Sequence, residues 1–199
     1  MKTSTAIVLL IMAFILGYVF GALASPVREY ILTTTTETES VEITKTITER
    51  ALGGAVSEIC FSAIMDCSSI IQQYIMRANH SIYVMVYSFT QDRLGRALVD
   101  AARRGVEVLV IVEERQVSEY SEVERLRNAG VKVFLDGNPF LMHHKVAIID
   151  GVFVITGSYN WSRSAEERND ENLVVLRGEH VATLFIEEFN RVLSEAIPA

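Results

Sequence analysis

Short apolar runs alternate with amphipathic helical stretches through the middle of the chain, and this alternation limits the choice of fold. The runs at 81–89 and 106–112 contain few polar residues, as expected for strands that are buried on both faces. Between them, apolar residues recur at helical spacing up to Gly105, a residue type that commonly ends a helix. From 59 to 135 the order is β-α-β-α-β-α-β, which predicts an α/β fold with right-handed crossovers.

The second part of the domain departs from this alternation. Apolar runs at 143–149 and 152–156 flank Asp150-Gly151, and an Asp-Gly pair between such runs predicts a hairpin. A further strand is expected at 172–176, followed by a final helix with one apolar face. The complete prediction is a mixed, largely parallel sheet with helices on both faces.

The N-terminus carries an uncharged run of 19 residues at 6–24. About 20 apolar residues span a bilayer as a helix, and Lys2 before the run favours an N-terminus that stays in the cytoplasm. We therefore expect residues 1–26 to be a single transmembrane anchor with the rest of the chain on the extracytoplasmic side. The alternative is a signal peptide with its cleavage site at Ala22-Leu23-Ala24, which would make the protein secreted.

A threonine-rich segment separates the apolar run from the domain. Eight of the sixteen residues from 33 to 48 are threonine, and a segment of this composition cannot bury a core of its own. We interpret residues 27–56 as a stalk in which Gly53-Gly54 marks the hinge. Residues 57–199 then form one domain.

The charge of the domain bears on its partners. The chain has a net charge of −7, and residues 57–199, with 14 basic and 20 acidic residues, carry −6 of it. A binder of nucleic acid usually has a basic surface, so this balance argues against tight nonspecific binding to DNA. A local basic cleft is still compatible with it, because affinity follows the local potential rather than the net charge.

The residues that could take part in a chemical reaction lie in the second half of the domain. Side chains on a strand alternate between its faces, so His143 and Lys145 would point one way and His144 the other. Ser158 and Asn160 repeat this spacing at the end of the neighbouring strand. Together they offer a nucleophile, a cation and two hydrogen-bond donors, the set that cleavage of a phosphodiester needs.

The same stretch resembles the phospholipase D superfamily. The signature is His143-x-Lys145-x4-Asp150, it is followed by Gly157-Ser158-x-Asn160, and Glu171 matches the acidic site of the family's small bacterial nucleases. The resemblance covers residues 57–195. It implies a metal-independent phosphodiesterase in which the histidine attacks phosphorus to give a phosphohistidine intermediate.

The resemblance also implies a role for each site residue. Lys145, Ser158 and Asn160 would bind the phosphate, and Glu171 would hold the His143 imidazole in one tautomer. Asp150 belongs to the catalytic signature, but we interpret it as support for the lysine and the turn.

The motif occurs once, whereas the family's chemistry uses two histidines. The resemblance therefore implies a homodimer with a composite active site, in which the second His143 comes from another copy. No cofactor and no metal are expected, because Lys145 supplies positive charge and the histidines lack metal-ligand spacing.

The sequence leaves the substrate open. We favour an endonuclease acting on DNA or RNA, because the domain is short and has a single motif. The alternative is a phospholipase or cardiolipin-type hydrolase acting on membrane lipids, which the anchor and the acidic surface favour. A catalytically silent binding module is a third reading, against which the intact motif argues. An apolar rim near Phe140, Leu141 and Trp161 would favour the lipid substrate.

Two further pairs of residues have alternative roles. Cys60 and Cys67 are the only cysteines; in an exported domain they could form a disulfide or remain two reduced, packed thiols, and the sequence leaves both open. Tyr159 and Trp161 flank the site sequence, where they would either contact substrate or pack in the core.

Overall fold

The computed structural model of the protein describes residues 54–199. The predicted anchor and almost all of the predicted stalk lie outside these residues. The eight strands are β1 (Ala55–Phe61), β2 (Ser81–Val86), β3 (Glu107–Val112), β4 (Lys132–Leu135), β5 (Lys145–Ile149), β6 (Phe153–Gly157), β7 (Asn172–Arg177) and β8 (Ile197–Pro198). The five helices are α1 (Cys67–Arg77), α2 (Asp92–Arg103), α3 (Val123–Asn128), α4 (Arg163–Glu167) and α5 (Glu179–Glu195), and a single 3₁₀ turn spans Glu114–Gln116. Within 54–199, none of the helices combines the length and the hydrophobicity needed to cross a bilayer.

All eight strands form one mixed sheet in the order β1-β7-β6-β5-β2-β3-β4-β8. The β2–β3 and β3–β4 pairs are parallel, as the alternating pattern predicts. The other five neighbouring pairs are antiparallel, so the expectation of a largely parallel sheet is wrong. β1 begins the β-α-β pattern but pairs with β7 rather than with β2, whose second neighbour is instead the antiparallel strand β5. The strands β5, β6 and β7 then continue the sheet antiparallel to one another, and β8 adds to β4 in the same way.

Helices cover both faces of the sheet, as predicted. Alternate residues of each strand enter different cores, so Val84 packs with α1, α2 and α3 while Met85 packs with α5. Leu98 of α2 and Phe189 of α5 are buried at the centres of the two clusters. Burial of one such side chain stabilises the fold by about 1.5–3 kcal/mol.

Several element boundaries differ from the prediction. The second strand ends at Val86 and not at 89. The strand predicted from 143 begins at Lys145. Helix α4 and strand β8, which have only 5 and 2 residues, were not predicted.

One edge of the sheet collects the strand ends that lie near the signature residues. The strands β1, β2, β3 and β6 end there, and β5 and β7 begin there, because Val86 pairs with both Lys145 and Val112 and Phe61 pairs with Asn172. We call this the site edge. His143, Lys145, Ser158 and Glu171 therefore lie next to strand ends at this edge, whereas Asp150 follows the other end of β5.

Candidate active site

Tyr87 brings His143 and Lys145 together at the site edge. Its ring centroid lies 4.6 Å from the centroid of the His143 imidazole. The Lys145 ammonium Nζ lies 4.8 Å from the centroid of the same ring and donates a hydrogen bond of 2.9 Å to the His143 carbonyl oxygen. The first two residues of the signature are thus held on one side of the chain, as their spacing predicts.

Lys145 is almost enclosed, with only 8% of its surface exposed. Burial lowers the pKa of its ammonium, because a charge is less stable away from water, and the negative charge of Glu171 acts in the opposite direction. The site therefore holds a cation with little competing water, which strengthens its attraction for a phosphate oxygen.

The backbone before β5 is anchored at two points. The Tyr87 N–H donates to the His144 carbonyl oxygen over 2.8 Å. The Met142 N–H donates to the Glu113 carboxylate, also over 2.8 Å, and Glu113 itself is buried. These two bonds fix the backbone on either side of His143, although this residue lies in a loop rather than in the predicted strand.

His144 faces the other side of the sheet. Its Nε2 atom lies 3.1 Å from the Glu188 carboxylate on helix α5. The neighbouring Arg191 guanidinium, together with His144, lowers the pKa of Glu188 to about 2. The structure thus places the two adjacent histidines in different environments, and only His143 shares the Lys145 side.

Ser158 lies beside Glu171 at the same edge. The Ser158 hydroxyl donates to the Glu171 carboxylate and accepts a 3.1 Å hydrogen bond from the Asn172 N–H. Gly157 makes this approach feasible, because a Cβ at position 157 would collide with the Asn172 carbonyl group. Steric exclusion of any side chain at this position therefore explains the glycine of the Gly-Ser-x-Asn string.

Glu171 is positioned differently from what the resemblance implies. Its carboxylate accepts hydrogen bonds from Ser158 and, over 2.9 Å, from the Asn169 side chain. Within the described part of the chain no hydrogen bond joins it to His143. The assignment of Glu171 as the partner of the imidazole stays a prediction.

Asn160 lies between two core residues. Tyr159 and Trp161 are each only 2% exposed, so both pack in the core instead of contacting substrate. The Asn160 side-chain oxygen is buried and has no hydrogen-bond partner among residues 54–199. A buried polar atom of this kind is costly unless something binds it, which is consistent with a place in the substrate site.

Asp150 lies beyond the opposite end of β5, away from the site edge. Its carboxylate accepts hydrogen bonds from the backbone N–H groups of Asn79, His80 and Ser81, at 3.0, 2.8 and 3.0 Å. Burial alone would raise the pKa of Asp150, but these donors outweigh it and keep the pKa below 3.8. Its backbone φ of 53° forms the hairpin turn. This geometry gives Asp150 an architectural role and places it outside the group of residues around Lys145.

Comparison with known proteins identifies the family. A family model described as "Cardiolipin synthase, PLD-like domain" matches residues 71–193, more than half of the chain. The chain belongs to the phospholipase D superfamily. Membership confirms the resemblance read from the sequence and supports the classification as a phosphodiesterase.

Individual relatives of this phospholipase D-like chain carry different names. A phospholipase D of Rickettsia bellii (strain RML369-C) is 33% identical over 131 residues, which are 65% of each chain. A mitochondrial cardiolipin hydrolase of Homo sapiens is 35% identical over 125 residues, 62% of this chain and 50% of the relative. The chain thus spans about two thirds of the first protein's length and half of the second's.

Solved structures resemble the phospholipase D-like domain over nearly their whole length. Nuc from Salmonella typhimurium, a phospholipase D family member, superposes with a TM-score of 0.69 and 31% identity, covering 73% of this chain and 98% of Nuc. NucT from Helicobacter pylori gives 0.68 and 25%, with coverages of 73% and 99%.

Sequence reasoning missed three residues that shape the site of this phospholipase D-like domain. Tyr87 and Glu113 follow β2 and β3 at the site edge, a position that a strand pattern could have suggested. Ser62, which hydrogen-bonds the backbone of residues 169–171, lies more than 100 positions away in the sequence and gave no signal.

The structure joins the two cysteines by a disulfide. Cys60, near the end of β1, and Cys67, at the start of α1, form a disulfide with a Cα–Cα distance of 5.7 Å. Among residues 54–199 no group of three or more His, Cys, Asp or Glu side chains has the geometry to hold a metal ion.

Proposed function

We propose that the domain is a metal-independent phosphodiesterase that works through a phosphohistidine intermediate. The observation that carries the proposal is the contact of one Tyr87 ring with both His143 and Lys145. This contact supports the proposal because His143, the proposed nucleophile, lies near the buried Lys145 cation, and Ser158 directly follows the neighbouring strand β6. Family membership supports the same chemistry.

The reaction would proceed in two displacements at phosphorus. A neutral ring nitrogen of His143 attacks the phosphodiester, so that a P–N bond forms while the P–O bond to the leaving group breaks. A second imidazole donates the proton that the leaving oxygen needs. Water then attacks the phosphohistidine, breaks the P–N bond and releases a phosphomonoester, while Lys145 stabilises the negative oxygens throughout.

The second imidazole would come from another copy of the chain. The chain has four histidines, and the other three lie away from the site: His80 at the Asp150 end of β2, His144 on the α5 side and His180 on α5 itself. A two-fold symmetric homodimer that brings the site edges together supplies the missing group. Mixing inactive His143→Ala chains with chains inactivated elsewhere in the site, and then assaying heterodimers, tests this arrangement.

Nucleic acid is the substrate class that we propose first. The support is the single-motif domain, which covers nearly all of Nuc and NucT but only about two thirds of the rickettsial phospholipase D. The net acidic domain remains the strongest argument against this choice.

A membrane phospholipid is the second candidate. Phe140 and Leu141 lie in the loop just before His143, and Phe140 is 79% exposed. Exposed apolar side chains beside a reaction site are suited to contact with lipid. Trp161 does not contribute to this rim, because it is buried.

Parallel assays of the full-length protein in detergent with EDTA present would separate these substrates. Single-stranded DNA, double-stranded DNA, RNA and phospholipid vesicles would be incubated with the wild type and with His143→Ala. Cleavage of nucleic acid alone supports the first proposal, and headgroup release from lipid alone supports the second. Activity that EDTA abolishes and added metal restores would refute the metal-free mechanism.

We also propose that the domain lies on the extracytoplasmic side, held by the N-terminal segment. The disulfide supports this location, because disulfides persist mainly in oxidising compartments. Thiol alkylation in intact cells, with and without prior reduction, tests it. Cysteines that are alkylated without a reductant would contradict the proposed location.

A further inference from the structure

The loop closed by the disulfide hydrogen-bonds the backbone of residues 169–171. We call residues 60–67 the disulfide loop. Its Ser62 makes three hydrogen bonds to residues 169–171: the Ser62 N–H donates to the Glu171 carbonyl over 3.0 Å, the Ser62 hydroxyl donates to the Asn169 carbonyl over 2.8 Å, and the Glu171 N–H donates to the Ser62 hydroxyl over 3.0 Å. The backbone on both sides of Asp170 is therefore fastened to one serine.

A second set of contacts fastens the other end of the loop. Asp66 caps helix α1 by accepting from the Ser69 N–H over 2.8 Å and is paired with Arg93. Just beyond the loop, the Ser68 N–H donates to the Glu166 carboxylate over 3.2 Å, and Glu166 accepts from the Tyr159 hydroxyl. Contacts at the two ends of the disulfide loop thus hold two parts of the segment from 158 to 171: residues 169–171 through Ser62, and Glu166 with Tyr159 through Ser68.

We propose that Ser62 is a positioning residue for Glu171, and that the Cys60–Cys67 disulfide keeps it in place, so that turnover depends on the oxidised state of this pair. Ser62 acts through Glu171, whose carboxylate receives the Ser158 hydroxyl at the site edge. The inference rests on the proposed phosphodiesterase function.

Two features of Ser62 support this role. Ser62 is only 8% exposed, so water does not readily replace its hydroxyl, and loss of that hydroxyl leaves the Glu171 N–H without its acceptor. The disulfide also restricts the motion of the backbone on each side of Ser62, because it joins two buried residues, Cys60 in β1 and Cys67 in α1.

Reduction would loosen this arrangement without removing any catalytic group. A dithiol such as dithiothreitol breaks the S–S bond, forms two thiols on the protein and is itself oxidised to a cyclic disulfide. The six residues between the cysteines would then be held only by the ends of β1 and α1 and by their hydrogen bonds. Exchange of the Ser62 contacts with water becomes more frequent, and Glu171 moves more.

The decisive experiment compares Ser62→Ala, Ser62→Thr and Ile64→Ala in the full-length protein. Ile64 belongs to the same loop, but its side chain is 81% exposed, so Ile64→Ala is the matched control. Amide hydrogen exchange of the 169–172 segment is measured beside that of 145–149, and kcat and KM are measured with bis(p-nitrophenyl) phosphate between neutral and alkaline pH.

For Ser62→Ala we expect faster exchange at 169–172 only, a kcat lowered about three- to tenfold, as loss of one positioning hydrogen bond allows, and an unchanged KM. Ser62→Thr, which keeps the hydroxyl, should restore most of kcat. Dithiothreitol should reproduce the effect in the wild type and have none on Cys60→Ser/Cys67→Ser, which is already slow.

Two results would overturn the inference: exchange at 169–172 that is the same in Ser62→Ala and Ile64→Ala, or a wild-type kcat that full reduction leaves unchanged. If the wild type cleaves no phosphodiester at all, the proposed function fails, and the exchange data alone still decide whether Ser62 and the disulfide position Glu171. Should Ser62→Ala fail to fold, the reduced wild type provides the same comparison.

Discussion

Strand β5 separates two regions that carry residues of one signature: Lys145 begins the strand beside His143, and Asp150 follows its other end. At the first end, the buried Lys145 ammonium lies over the Tyr87 ring and donates a hydrogen bond to the His143 carbonyl oxygen. At the second end, the Asp150 carboxylate accepts hydrogen bonds from three backbone N–H groups between α1 and the start of β2. The comparison shows that a short motif can combine a chemical group with the residue that holds its strand in place.

The difference also has a physical cause. Lys145 is buried and no carboxylate among residues 54–199 is bonded to it, so its charge stays free for a ligand while burial lowers its pKa. Asp150 has its hydrogen-bonding capacity satisfied inside the protein, and its pKa is lowered because that bonding favours the charged form. Substitutions at the two ends should therefore separate activity from stability.

The largest effect is expected at His143. His143→Ala should lower kcat by about 10⁴-fold or more, as loss of a nucleophile does, while the melting temperature stays within about 2 °C because the side chain is exposed. Turnover and differential scanning calorimetry measure the two quantities. Residual activity above about 1% of wild type would remove His143 from the nucleophile role.

Lys145 should come next. Lys145→Ala removes the buried cation and is expected to lower kcat by about 10²- to 10³-fold, in the range known for loss of one transition-state donor. Lys132→Ala, which removes an exposed lysine from β4, is the matched control and should keep full activity. Equal losses in the two variants would point to an effect of net charge instead of local geometry.

The lowered pKa of Lys145 predicts a pH dependence at the same end. A lysine loses its charge as pH rises through its pKa, so activity should decline at a pH below the ordinary value of 10.5. The measurement is the alkaline limb of the kcat profile, recorded for the wild type and for Lys145→Arg. If the arginine variant is active, its limb should shift upwards, because the guanidinium stays charged; an unshifted limb would assign the titration to another group.

A substitution at the other end of β5, at Asp150, should lower stability more than activity. Asp150→Ala leaves three backbone N–H groups without their acceptor and is expected to lower the free energy of unfolding by about 1–3 kcal/mol, with a smaller effect on kcat at low temperature. Denaturant titration measures the change. Asp100→Ala, which removes an exposed carboxylate from α2, should change stability by less than about 0.5 kcal/mol. A large loss of kcat in a stably folded Asp150→Ala would show that this end also takes part in the chemistry.

The smallest effect is expected at His144. His144→Ala removes a contact with the half-exposed Glu188 on α5 and should change kcat less than about twofold, since partly exposed ion pairs contribute little. The kcat of this variant, measured beside His143→Ala, provides the check. A loss comparable to that of His143→Ala would contradict the separation of the two histidines by the faces of the sheet.

The sequence predicted the parts of the fold that depend on neighbours along the chain. The parallel β2–β3–β4 unit follows from local periodicity, and the β5–β6 hairpin follows from Asp150-Gly151. The place of β1 could not be predicted in this way, because its partner β7 lies more than 100 residues away, with Cys60 opposite Leu173. Pairing over such a distance leaves no periodic signal.

In the candidate site, too, the sequence predicted what depends on neighbours along the chain and not what depends on packing between distant segments. Strand alternation placed His143 and Lys145 on one side and His144 on the other, and family resemblance selected Ser158, Asn160 and Glu171. The burial of Tyr159 and Trp161 depended on how the 158–168 segment packs, so alternation could not assign them to the core.

The sequence by itself predicted the family, the signature residues and the parallel β2–β3–β4 unit, because each depends on residue type and short-range spacing. Only the tertiary structure decided that the Tyr87 ring contacts both His143 and Lys145, that Glu171 bonds Ser158, and that Ser62 in the disulfide loop hydrogen-bonds the backbone of residues 169–171. Those contacts join strands that are distant in the chain, and their geometry is set by how the whole sheet packs.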